Sequence, residues 1–158
     1  MSNLTESAIT ELEQVKSQFL RAFENTPDER LNWSPGPSAR TPLQLVAHSA
    51  FALGFIQNMF AGTPYPTPTM AEADAEFLEM DSQVSSREHA IELFEGKCAE
   101  FVKYLAGLSP EDLERMTNLP FQLGSAPLGA ILGAGVMHTR SHLAQLEYLQ
   151  TCYGDRAW

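Results

Sequence analysis

Cationic side chains are scarce in this chain, and those present are scattered. Ten Lys and Arg stand against twenty Asp and Glu, a formal charge of −10. Phosphate neutralisation supplies much of the affinity of nucleic-acid binders. An acidic chain with no basic stripe is therefore expected to bind neither nucleic acid nor an anionic membrane. No uncharged apolar run reaches the roughly 18 residues that a transmembrane helix needs. Cysteine is scarce too. Cys98 and Cys152 make no disulfide framework, and both fall in helical patterns where a buried free thiol is the expectation. MSNLTESAITELEQ lacks the basic and apolar regions of a signal peptide, which makes the cytoplasm the expected compartment. Also absent are a Gly-rich phosphate loop, GxSxG, HExxH and Cys-x-x-Cys. No stretch shows the strict alternation of a half-buried strand.

What remains is helical patterning. The 158 residues, 44% hydrophobic, suit one domain spanning 1–158 with a sizeable core. A first helix is expected from Leu4 to Glu24, with Leu12, Val15, Phe19, Ala22 and Phe23 at 3–4 spacing. A second starts at Thr41-Pro42, an N-cap followed by proline at the first helical position, and runs to about Ala61. Its seam is Leu45, His48, Ala52, Phe55 and Met59. Gly62 ends it, and Pro64, Pro66 and Pro68 favour an extended path. AEADAEFLEM is a candidate short helix. A third main helix is expected from Ser85-Ser86 to Leu108, with Ser85 and Glu88 as a capping box. Ile91, Phe94, Cys98, Phe101, Leu105 and Leu108 make its seam. SPED suits a brief helical turn, and NLPFQLGSA reads as a loop. A fourth main helix runs from Pro127 to about Tyr153, with Gly154 as its stop.

The expected fold is all-α, a four-helix bundle. The connection between the second and third main helices, residues 62–85, is too long for a simple hairpin. It suits a crossover that leaves those two helices parallel and the fourth antiparallel to the second; it can also overhang a site.

Three histidines fall on these seams. His138 and His142 stand four residues apart, so they share a helix face with Cβ atoms about 5–6 Å apart. The seam Leu128, Ile131, Gly135, His138, His142, Gln145 and Leu149 carries both. His48 lies between Leu45 and Ala52 on the second helix. A lone core histidine is more commonly satisfied by a carbonyl or hydroxyl. Three buried imidazoles together are costly, because each resists protonation in a dry site. A divalent ion would bind all three in neutral form and keep a fourth position open, as catalytic zinc sites do. The third main helix offers only wall residues. His89, beside Arg87 and Glu88 in a first helical turn, reads as surface. Gly129 and Gly133 bare one face of the fourth helix, for close packing or for a cavity beside His138. The acidic run AEADAEFLEMD reads as a solvated face.

The order of LNWSPGP, then TPLQLVAH, then H-x3-H-x2-Q near the end resembles the DinB/YfiT-like superfamily of metal-dependent enzymes. The resemblance spans nearly the whole chain. It implies a four-helix bundle, a homodimer, and a metal held by His48, His138 and His142. Gln145 matches the H-x-x-Q and would act from behind His142. Trp33 matches the tryptophan before the second helix as a packing anchor. Zinc is the leading ion, with nickel or manganese next. Some relatives use bacillithiol, mycothiol or glutathione. The resemblance thus implies transfer of a low-molecular-weight thiol cosubstrate to a small-molecule electrophile, with metal-dependent hydrolysis as the alternative. A non-enzymatic dimeric binding module with a structural metal is the rival reading.

Overall fold

The computed structural model describes residues 2–63 and 66–155. Its main helices are α1 (Asn3–Glu24), α2 (Pro42–Phe60), α4 (Arg87–Ala106) and α7 (Ala134–Cys152), with shorter helices α3 (Met70–Ser82), α5 (Pro110–Glu114) and α6 (Leu128–Ile131). Two three-residue strands, β1 (Met116–Asn118) and β2 (Ser125–Pro127), pair antiparallel with Thr117 opposite Ala126. The expected loop at NLPFQLGSA is thus a short hairpin. Pro64 lies outside the described residues.

Local chemistry sets the helix starts. The Thr41 hydroxyl accepts from the Gln44 backbone N–H, and the Gln44 side chain accepts from the Thr41 N–H. This capping box satisfies two donors that the first turn leaves open. The cap of α4 is Ser86, whose hydroxyl accepts from His89 N, so the expected Ser85 and Glu88 box is not the one used. A Ser109 and Asp112 box starts α5. The fourth main helix of the sequence pattern is broken into α6 and α7, with Gly133 at the N-cap of α7.

The bundle is a ring in which α1 and α2 sit diagonally and each packs on α4 and α7. Phe60 meets Phe101, and Gly54 backs onto Lys97, so α2 and α4 run parallel. Ala22 lies at Gln150 and Glu11 at Arg140, so α1 and α7 are parallel as well. Phe19 packs on Phe94 at 5.3 Å and Arg87 bonds the Phe23 carbonyl, which sets α1 and α4 antiparallel. Two parallel neighbours cannot be joined by a tight turn. The crossover expected between α2 and α4 is therefore present, and it carries α3 back onto α2.

The predicted seams of α1 and α4 lie in the core, where Leu12, Phe19, Phe23, Phe94, Phe101 and Leu105 are buried. On α2 Leu45 is buried but Phe55 and Met59 are only half-buried, and Leu53 and Leu146, beside the predicted seams, are buried as well. Cys98 is buried among them, whereas Cys152 is exposed. Cys152 falls in the last turn of α7 on its outer face, while Leu149, Gln150 and Tyr153 take the inner one. Gly135 permits the closest approach of α7. A Cβ there would sit 3.0 Å from both Leu53 and Phe101. Gly129 has a similar role against the Leu113 carbonyl, but a Cβ on Gly133 would meet nothing. Trp33 packs edge-on against Tyr153 at 5.4 Å, as a packing anchor would.

Candidate metal centre

The antiparallel contact of α2 with α7 brings His48 to His138 and His142. One nitrogen from each ring lies within 4.8 Å of the other two. His138 Nε2 and His142 Nε2 are 3.0 Å apart. Two nitrogens bound to one tetrahedral zinc at about 2.0–2.1 Å would be roughly 3.4 Å apart, so this spacing suits a shared ion. His48 and His142 are buried, and His138 is half-buried. His89 is exposed on α4 and takes no part.

Each ring is oriented differently. His142 Nδ1 lies 2.8 Å from Gln145 Oε1. An amide oxygen can only accept, so this contact puts the proton on Nδ1 and frees the Nε2 lone pair. His48 Nδ1 faces Asp81 Oδ2 at 3.5 Å, too long for a hydrogen bond but aligned with a carboxylate that would favour the same tautomer. Asp81 is fully buried. Its Oδ2 accepts from Arg40 Nε at 2.8 Å, and Arg40 also bonds Asp74 at 2.8 Å. His48 Nδ1 and Asp81 Oδ1 have no hydrogen-bond partner. Two unpaired buried polar atoms behind one ring are what a slightly closed, ion-loaded site would resolve.

Burial first, then the neighbouring imidazoles, lower both α7 histidines. His138 is pushed down to about 3, by burial, then His142, His48 and Arg40. His142 is pushed down to about 4, with Gln145 opposing the shift. Both are neutral at pH 7, the state a metal requires.

A cavity of about 610 Å³ opens beside His138. Phe77 forms part of its wall and packs edge-on against His48 at 4.6 Å. A second hollow of about 470 Å³ is lined by Arg40, Ser38 and Gln145 among others, the groups behind the rings, and by none of the three histidines.

The structure thus brings together all three predicted histidines and puts Gln145 behind one of them. Sequence reasoning missed Asp81 and Arg40. The acidic run is not merely a solvated face: Asp74 is exposed, but Asp81 turns inward. Ala73, Phe77 and Asp81 recur every four residues, which was the available signal that Asp81 shares the inward face of α3.

The DinB superfamily model matches residues 11–146, and the chain belongs to that family. No curated protein matches the chain. The structure is similar to that of YfiT from Bacillus subtilis, described as a probable metal-dependent hydrolase with an unusual four-helix bundle topology. The TM-score is 0.78 at 22% identity, covering 98% of this chain and 91% of that one. It is also similar to a mycothiol-dependent maleylpyruvate isomerase, with a TM-score of 0.73 at 18% identity, over 92% of this chain and 63% of the other. At these identities the likeness is one of fold.

Proposed function

We propose that this DinB superfamily protein is a divalent-metal-dependent enzyme acting on small molecules, with His48, His138 and His142 as the protein ligands. The observation that carries the reading is the convergence of three imidazole nitrogens from two helices, the one such group of potential ligands among the described residues. Zinc is the first candidate ion, then nickel or manganese, since imidazole discriminates weakly among them. When bound, the ion would supply Lewis acidity, lowering the pKa of a thiol or water in the remaining position. The chain's own residues prepare the ligands. Gln145 holds the His142 proton on Nδ1. Asp81, itself held by Arg40, faces the corresponding nitrogen of His48. Burial keeps the α7 imidazoles unprotonated.

Transfer of a low-molecular-weight thiol to an electrophile is the first reaction proposed. Such a transfer needs room for two organic substrates, and two hollows lie near the cluster, though only the one beside His138 is lined by a histidine of the cluster. One hollow is apolar and the other carries Arg40 and Gln145. Hydrolysis is the second reading, supported by the stated function of YfiT.

Metal analysis of the purified protein tests the core of the proposal. About one divalent ion per chain is expected in the wild type, and little in His138→Ala or His142→Ala. Equal, near-zero metal in all three would sink it. Bacillithiol, mycothiol and glutathione are then offered with monochlorobimane. Conjugation that requires both metal and His142 supports transfer; conjugation indifferent to them supports a non-enzymatic bundle.

A further inference from the structure

The cavity beside His138 has a composition that speaks to its occupant. It is walled by α2, α3, the β1–β2 hairpin, α6 and α7, and none of its lining residues is charged. Phe55, Ile56, Met59, Phe77 and Phe121 are among its apolar residues, and His138 and Ser141 are the polar side chains in it. The chain carries a net charge of −10. An anionic group seated among these residues, away from the His138 end, would lose part of its water and find no cationic side chain, which disfavours it. An uncharged apolar body would gain roughly 25 cal/mol for each Å² it buries.

The hairpin forms one side of the cavity. Phe121 has φ 56° and Gln122 has φ 59°. Two successive residues in the left-handed region suit Asn-Gly, and a bulky aromatic there costs of order 1–2 kcal/mol. The two-residue turn that closes the hairpin, held by the Leu123 N–H on the Pro120 carbonyl, enforces it. Phe121 on this turn lines the cavity. Of the strongly exposed large apolar residues, Met70, Leu123 and Met137 also line this space. An apolar surface with His138 in its wall fits a small molecule entering to react.

We infer that this cavity receives the uncharged apolar portion of the substrate, an aromatic or aliphatic body with its electrophilic carbon toward His138. An engineered cavity of about 150 Å³ binds benzene, so about 610 Å³ has room for a bicyclic aromatic or a chain of roughly eight to ten carbons. The Arg40 flank is left for a polar cosubstrate. This inference rests on the proposed metal site for its reactive end. Its apolar end stands on the cavity alone.

Binding of 2-acetylnaphthalene and of its 6-sulfonate is compared by calorimetry, on protein whose metal content is measured in the same samples. The neutral ketone is expected to bind at least tenfold more tightly. Met59→Trp, which fills the cavity, should weaken the ketone tenfold or more. Phe121→Gly, which keeps the backbone turn and removes the ring, should weaken it several-fold without lowering Tm. Equal affinity for ketone and sulfonate, or ketone binding unaffected by both variants, overturns the inference. Preferential ketone binding that responds to these variants in metal-free protein upholds it even if the metal reading fails. Full metal content with no ketone preference leaves the metal reading intact and removes this one.

Discussion

The two flanks of the histidine cluster are built on opposite principles. On one side, His48 and His142 face fixed polar groups: Asp81 braced by Arg40, and Gln145. On the other, His138 borders an apolar cavity with no charged residue in its wall. The first flank sets ring orientation and keeps the lone pairs directed at a common point. The second leaves room and keeps water poorly solvating. One helix seam serves both, because His138 and His142 are one turn apart and each addresses a different flank.

The sharpest way to break the polar flank is to remove a nitrogen from it. His142→Ala should lower metal affinity by well over 100-fold, measured by competition with a chromogenic chelator, because loss of even an outer partner typically costs 10–100-fold. Asp81→Ala comes next. It leaves the nearly buried Arg40 guanidinium only the exposed Asp74 as partner and should cost about 1–3 kcal/mol in urea unfolding. Asp81→Asn, which keeps the shape, should cost less stability while still lowering metal affinity about tenfold or more. If Asp81→Asn binds metal as well as wild type, the carboxylate is only a structural partner of Arg40.

Acid gives a graded version of the same test. Each α7 imidazole takes a proton near pH 6.5 in the unfolded chain, but only near 3 for His138 and 4 for His142 in the folded site. Over that window the unfolded chain binds more protons. Stability of the metal-free protein should therefore be intact above pH 6.5 and fall as pH drops, by about 1.4 kcal/mol per pH unit for each imidazole. His138→Gln should flatten that slope in urea titrations at pH 6.5 to 4.5. The smallest effect belongs to the apolar flank. Gln122→Gly relieves a left-handed backbone at an exposed position and should stabilise by about 1 kcal/mol, read as a small rise in Tm.

The same contrast explains what the sequence could reveal. The apolar periodicity that marks a buried face also locates any histidine interrupting it, so His48, His138 and His142 were visible along with α1, α2 and α4. Asp81 was not, because its meaning depends on Arg40, which is distant in the chain and joined to it only through the docking of α3. The break at Gly133 was hidden for a different reason. The seam Leu128, Ile131, Gly135 continues across it with helical spacing, and the backbone there departs little from a helix: Leu132 has φ −57° and ψ −31°, and Gly133 φ −77° and ψ 0°. Cys152 lies in a helical pattern as well, but on the face turned away from Leu149, Gln150 and Tyr153.

The ring arrangement of the bundle has a consequence for how the protein assembles. α2 and α7 come from well-separated stretches of the chain, and the crossover prevents α2 from pairing with its next main helix by a simple turn. An unfolded chain, or one with only α7 formed, can offer a metal at most the i, i+4 pair His138 and His142. In the proposed three-histidine site, the third ligand would arrive when α2 docks. Tight metal capture is therefore a clock for that docking event: stopped-flow refolding in the presence of a zinc indicator should show the ion withdrawn in the last kinetic phase, after helix content has already recovered.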